Sequence, residues 1–159
     1  MEIIALDNKG LANIPIYIKP KEKHIPRRTY FKLDTGASIT TISKNMLNSL
    51  GYCDDWIKSN STNGPIKEIS SAGRGYELAY CVILPYSTIL GKVLNNWPFY
   101  IRPEDDRDYR NLLGVDILSN FKFTFCYNTG YVNIEAINDP YINFPMLPHQ
   151  KIDELDINN

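Results

Sequence analysis

Histidine is nearly absent, cysteine is scarce and no apolar run is long, and each shortage closes off a class of chemistry. The two histidines, His24 and His149, lie far apart and share no ligand-like spacing with the cysteines, so neither a zinc site nor any other metal or cofactor is expected. Cys53, Cys81 and Cys126 are an odd number at wide spacing, the pattern of reduced thiols in a cytoplasmic protein rather than of a disulfide framework. The longest apolar run, Tyr80 to Tyr86, is strand length, far short of the roughly 20 residues that cross a bilayer. Met1 to Asp7 lacks the basic start and long apolar stretch of a signal peptide, so a cytoplasmic chain with no membrane partner is expected. Charge of one sign is lacking too: the formal total is -1, which draws the chain as a whole neither to nucleic acid nor to an anionic surface.

What is present fits one compact domain. A chain of 159 residues, 43% of them apolar, can bury a real core but would be cramped as two domains. The expected division is a domain over 1–137 and a tail over 138–159, rich in Pro, Asn and acids, irregular or packed through Tyr141, Phe144 and Leu147. Ile14, Ile16 and Ile18 alternate with Pro15, Tyr17 and Lys19, the period of a half-buried strand. Thr29 to Leu33 reads as the returning arm of a hairpin. Its loop holds Lys19, Lys21, Lys23, Arg27 and Arg28, but Glu22 interrupts them and two prolines frame them. A solvated hairpin loop is therefore expected in preference to a nucleic-acid patch.

Ser43 is placed to cap a short helix over Lys44 to Leu50, which Gly51 would end. A polar stretch comes next, Lys58 to Gly64. Ile66 to Ile69 and Tyr76 to Leu84 read as strands around the small-residue apex Ser70 to Gly75, and Trp97 to Ile101 as another. Beyond the charged loop 102–110, "NLLGVDILSNF" predicts a strand end, Gly114 and a short helical turn. Phe121 to Glu135 alternates as a hairpin turning at Asn128-Thr129-Gly130. The sum is a mainly β chain with one or two short helices.

One acid stands out. The strand Thr29 to Leu33 runs straight into Asp34, followed by Thr35-Gly36-Ala37-Ser38. A carboxylate at the end of a buried strand needs a hydrogen-bonding cradle, a cation, or a second acid with which to share a proton. About 80 residues later comes Leu112-Leu113-Gly114-Val115-Asp116-Ile117-Leu118. The pair, with the glycine-bearing hairpin between, resembles the retropepsin-like aspartic proteases, the single-domain group that includes retroviral proteases and their cellular relatives. The resemblance spans about residues 12 to 135 in the right order. It implies a closed, barrel-like β fold with a flap hairpin. It also implies Asp34 as the catalytic acid with Thr35 and Gly36 supporting its turn, and Gly114 and Asp116 as a structural late motif.

The chemistry of the residues agrees. Hydrolysing a peptide bond without metal or covalent nucleophile requires a water deprotonated and an amide nitrogen protonated at one place, which two facing carboxylates can do by sharing one proton. This chain has one such turn where the two-lobed members need two, so a homodimer is expected, each subunit supplying Asp34. The substrate would be a protein or peptide held extended between the subunits, touching Ala37 and Ser38 and the flap residues Ser71, Ala72, Gly73, Arg74 and Gly75. Pocket walls are expected from Ile39, Ile69, Ala72 and Val82, with Arg74 read as a solvated tip residue. "YNTG" at 127–130 imitates the turn, but Asn128 is an amide and fits a hairpin bend. Retroviral members often carry an Arg after the late glycine and an acid after Asp-Thr-Gly-Ala. Here Val115 and Ser38 stand there, which points to the cellular or bacterial branch.

Two rival readings compete with this one. A strand-Asp-X-Gly turn also marks ATPases of the actin and sugar-kinase type, but those need a far larger chain with further phosphate loops and a metal. The alternative from a different class is a catalytically silent module that dimerises or binds peptides. It has no use for a costly acid at Asp34.

Overall fold

Three alternating isoleucines decide how the chain begins to fold. On β2 (Asn13–Ile18), Ile14, Ile16 and Ile18 all point inward and are fully buried. They lie against β3 (Arg27–Leu33), paired antiparallel from Asn13↔Lys32 to Ile18↔Arg27, where Thr29 and Phe31 are the inward residues. Thr29 is polar yet buried because its Oγ1 donates to the Ile16 carbonyl at 2.6 Å. The computed structural model describes residues 1–61, 67–71, 75–101 and 111–137, with 67–71 and 75–79 described through the backbone alone.

The remaining elements are β1 (Glu2–Ala5), α1 (Lys44–Ser49), α2 (Asp54–Asn60), β4 (Lys67–Ser71), β5 (Gly75–Ile89), β6 (Lys92–Ile101), β7 (Leu112–Leu113), α3 (Val115–Leu118), β8 (Phe121–Cys126) and β9 (Tyr131–Ala136). One sheet runs β4-β5-β2-β3-β7, with β6 also on β5, and a second runs β1-β9-β8. The first curls as a half-barrel around a core of Phe31, Val82, Leu84, Trp97 and Phe99 and the isoleucines of β2. The fold is thus mainly β with short helices, as the alternation predicted.

Local signals place several boundaries well. Ser43 caps α1, its Oγ accepting from the Met46 N–H at 3.1 Å, and Gly51 ends it at φ +90°. The β8–β9 hairpin turns through Tyr127 to Gly130, with Gly130 at φ +77°. Pro15 lies in the part of β2 that pairs with β3 alone, because pairing to β5 begins only at Ile16.

Three features carry no clear signal in the sequence. β1 adds to β9 although most of it is exposed. α2 occupies the start of what read as a polar stretch. Its stabilising features are Asp54 and Asp55 in the first turn, the buried Ile57, and the Trp56 ring packed 4.5 Å from that of Tyr52. The strands expected to stop at Leu84 and to start at Trp97 instead continue until they meet, through a two-residue turn at Leu90-Gly91 with φ of +47° and +80°. Leucine is an unusual occupant of that conformation, so nothing local announces a turn. The ladder is interrupted at Pro85 and Asn96 (φ +48°), and the buried face changes phase there: Val82, Leu84, Trp97 and Phe99 are buried on one side of the break, and Ser87, Ile89, Lys92 and Leu94 on the other.

Ser87 yields a direct test of packing. It is fully buried and its Oγ has no hydrogen-bond partner among the described residues. Ser87→Ala should raise stability by about 1 kcal/mol by removing an unsatisfied polar group. A lower urea midpoint in that variant would mean the hydroxyl is satisfied after all. Among the described residues, no helix is long and apolar enough to cross a membrane. All three cysteines are free thiols, and burial pushes that of Cys81 up to about 12.

Candidate active site

Asp34 is the first residue after β3, and the segment beyond it takes part in a crossing of chains. The chain turns through Thr35 to Ser38 and comes back as Thr40 to Ile42. Into the gap between β3 and this returning segment slides β7, from a distant part of the sequence. β7 runs parallel to β3 (Lys32↔Leu112, Leu33↔Leu113) and antiparallel to Thr41, which bridges Leu112 on one side and Tyr100 on the other. Each face of the crossing is held by backbone. Lys32 donates to the Asn111 carbonyl (2.9 Å) and Asp34 to that of Leu113 (3.1 Å), while Thr41 and Leu112 exchange bonds of 2.9 and 3.1 Å.

The turn is thereby anchored at its base and open at its tip. The Asp34 carboxylate is half-buried, its Oδ1 accepting from the Gly36 N–H at 2.9 Å. A Cβ on Gly36 would sit 3.3 Å from that same oxygen, a tight approach that glycine avoids. Thr35, Gly36 and Ser38 are exposed and Ala37 is half-buried, so the carboxylate opens onto solvent along this rim. The other side of the turn receives α3: the N–H groups of Val115 and Asp116 donate to the carbonyls of Ala37 (2.8 Å) and Ser38 (3.3 Å). Amides that a helix start would leave unpaired are used to hold the turn.

Beneath the turn, Gly114 touches the Ile39 backbone so closely that a Cβ would lie 2.3 Å from its carbonyl oxygen. Beside it Asp116, almost fully buried, accepts from Thr40 twice, at Oδ1 from the hydroxyl (2.7 Å) and at Oδ2 from the N–H (3.1 Å), and from the Ile117 N–H (2.9 Å). Thr40 Oγ1 in turn accepts from the Gly114 N–H at 3.1 Å. Burial pushes the Asp116 carboxyl up to about 6, against the downward pull of the Thr40 and Ile117 donors.

Three donors aimed at one carboxylate make an amide a poor substitute. Asp116→Asn would turn an NH₂ toward a Thr40 donor, leaving it unsatisfied at an expected cost of about 2 kcal/mol at neutral pH. The pH dependence has a definite sign. Because the folded pKa of about 6 lies above the ordinary 3.8, the folded chain retains a proton that the unfolded chain has lost, and this contribution is full below pH 3.8 and gone above about 6. It is worth ~3 kcal/mol and is absent from the amide variant. Urea midpoints of the two proteins should therefore diverge as pH falls from 7 to 4. Convergence would mean that Asp116 is not held neutral in acid.

No protein-family model matches the sequence, and neither does any curated protein. Solved structures do: a retropepsin-like aspartic protease from Rickettsia conorii superposes with a TM-score of 0.57 over 84% of this chain and 97% of that one, at 22% identity. The fold is retropepsin-like.

Within this retropepsin-like fold, the strand carrying Asp34 and the late Leu-Leu-Gly-Val-Asp segment are brought side by side, although 76 residues separate Thr40 from Asp116. Ser71 and Gly75 face each other at the end of the β4–β5 ladder, whereas Ala72, Gly73 and Arg74 lie outside the described residues. Two expected pocket walls need correcting. Ile39 and Val82 are buried at 1% and 0%, Val82 on the core face of β5 and Ile39 with its backbone against Gly114. The exposed neighbour on that strand is Ile83. Tyr127 to Gly130 forms the far hairpin bend, as its alternating flanks predicted. Val115 is bonded to Ala37 and Ser38 to Asp116, and Val115 presents an exposed apolar side chain beside the turn.

Sequence reasoning overlooked Thr40 and Asn111. Thr40 joins Asp116 to Gly114, and Asn111 Oδ1 accepts from the Ser43 N–H at 2.8 Å while its carbonyl takes Lys32. A run of hydroxyl residues just after an acid turn is the one signal that could have marked Thr40.

Proposed function

We propose that the chain is an aspartic endopeptidase that works as a homodimer, with Asp34 of each subunit forming the acid pair. The observation that supports this most directly is a half-buried carboxylate presented on an anchored turn, closing a crossed-chain fold shared with a retropepsin-like protease. One Asp34 cannot act as base and acid at once. Two of them brought to about 3 Å would hold one proton between them.

Each carboxyl then has a role. The ionised Asp34 takes a proton from a water positioned between the pair. The oxygen of that water bonds to the scissile carbonyl carbon, and the carbonyl oxygen receives the proton of the other Asp34. Collapse of the tetrahedral species breaks the C–N bond as the nitrogen gains a proton from the pair and one hydroxyl of that species returns a proton to it, so the pair is left with one proton as before. The Gly36 N–H holds Asp34 in position through this exchange. The substrate would lie extended along the rim of Ala37 and Ser38 beneath the β4–β5 hairpin, bound chiefly through its main chain. Residues 1–137 would form the catalytic domain and 138–159 an extension. Three free thiols are in keeping with a cytoplasmic setting.

Dilution tests the pairing. Specific activity on a peptide substrate should fall once the protein is diluted below its dimer dissociation constant, and recover on concentration. Activity that stays proportional to protein through a range shown by sedimentation to be monomeric would refute the shared site.

A further inference from the structure

The basic hairpin loop between β2 and β3 plays no part in the proposed chemistry. It lies at the far end of β3 from Asp34, which seven residues of strand place roughly 20–25 Å away. Residues 19–28 carry five cations against one acid, a net +4 in a chain whose total is -1, so the remainder carries -5. Among the described residues, the one acid on these cations is Glu22, 3.6 Å from Lys21. Arg27 donates to the Ser49 carbonyl at 2.7 Å, a contact that leaves its charge uncompensated. Among the described residues, Lys19 meets a carbonyl, that of Pro20, and Arg28 meets the Tyr17 ring and the Tyr30 hydroxyl.

This charge surrounds a concavity. Between the loop and the end of α1 lies a cavity of about 480 Å³, lined by the apolar residues Pro20, Ile25, Pro26 and Leu50 and by two cations, Lys23 and Arg27, against one acid, Glu22. Ile25 is 82% exposed, a large aliphatic side chain that the fold leaves unpacked. The Lys21 N–H on the Leu50 carbonyl (3.0 Å) and the Arg27–Ser49 contact hold the loop against the end of α1, so the concavity exists before anything enters it.

From this juxtaposition we propose that the β2–β3 loop is a docking site for acidic protein segments, receiving one apolar side chain against Ile25, Pro20, Pro26 and Leu50 while flanking carboxylates meet Lys23 and Arg27. Charge complementarity selects the acidic partner. The walls select a peptide over other polyanions: they are aliphatic, offering no aromatic platform for a base, and concave, offering little to a flat bilayer. For an enzyme cutting proteins elsewhere, such a site would tether acidic targets at a distance from the scissile bond. The binding itself does not depend on the proteolytic reading.

The test uses the full chain carrying Asp34→Asn, so that proteolysis has no bearing on the outcome. Its probe is a fluorescein-labelled twelve-residue peptide of Asp, Glu and Gly with one central Leu, followed by anisotropy. Binding should weaken about 10-fold in Lys23→Glu, about 10-fold in Ile25→Ser or when the peptide Leu becomes Ser, and progressively with added salt. Affinity unchanged within about twofold in both protein variants, or no binding at low salt, would overturn the proposal. So would an oligo-dT or phosphatidylserine vesicle that binds more tightly than the peptide at ~150 mM salt, which would assign the loop to a generic polyanion surface.

Discussion

Asp34→Asn is expected to lower peptide hydrolysis by at least about 10³-fold while leaving folding and dimerisation intact, because it removes the shared proton and little else. An asparagine retains an oxygen to accept the Gly36 N–H that Asp34 accepts at 2.9 Å, so the turn keeps its bond. The backbone bonds to Leu113 and from Ala37 do not involve the side chain. The site is half-exposed, so the change of charge carries little penalty, and melting temperatures should agree within about 2 °C. The assay is cleavage of a denatured-protein or peptide library between pH 4 and 7, with sedimentation to confirm the dimer. Cleavage that persists in the variant would end the protease reading. Wild-type protein that dimerises, binds peptides and never cleaves them would favour the silent module.

Gly114→Ala should produce the largest loss of stability, about 4 kcal/mol or more, enough to unfold a marginal domain. The reason is contact, not conformation: at φ -95° any residue could adopt this backbone. A methyl group there would meet the Ile39 carbonyl oxygen at 2.3 Å, its carbon at 2.4 Å and its nitrogen at 2.9 Å. All three are main-chain atoms, and they lie between the Asp34 turn and Thr40, each bonded to β7 or α3. The clash can be relieved only by pushing β7 out of the crossing or lifting the turn from α3. Urea unfolding measures the loss. Gly130→Ala is the control, since its Cβ would meet nothing within 4 Å and only its φ of +77° opposes the change. Equal midpoints for the two variants would mean that β7 does not lie against Ile39.

These two residues are legible to different degrees. Asp34 announces itself because an acid interrupts the apolar pattern of the strand it ends, and the Thr-Gly-Ala-Ser after it is a recognisable turn. Gly114 stands out through resemblance alone. No neighbour in sequence requires a glycine there, and the atoms that exclude a side chain belong to Ile39. Asp116 was expected to support the turn, but Thr40, which takes two of its bonds, resembles any other surface-strand threonine. Ile39 and Val82 were misplaced for a related reason: apolar residues near a cleft and apolar residues beneath it look alike until packing separates them.

The sequence by itself determined the inward faces of β2 and β3, the cap and end of α1, the bend between β8 and β9, and an acid delivered at a strand end. Alternation, capping and turn chemistry act over a few residues, and a few residues suffice to read them. Only the tertiary structure decided that β7 enters between β3 and Thr41, that Leu90-Gly91 joins two strands into one hairpin, and that Ile25 overhangs a cavity ringed with charge. Those outcomes depend on which distant surfaces meet, and the free energy that selects among such meetings resides in burial and backbone pairing across the whole domain.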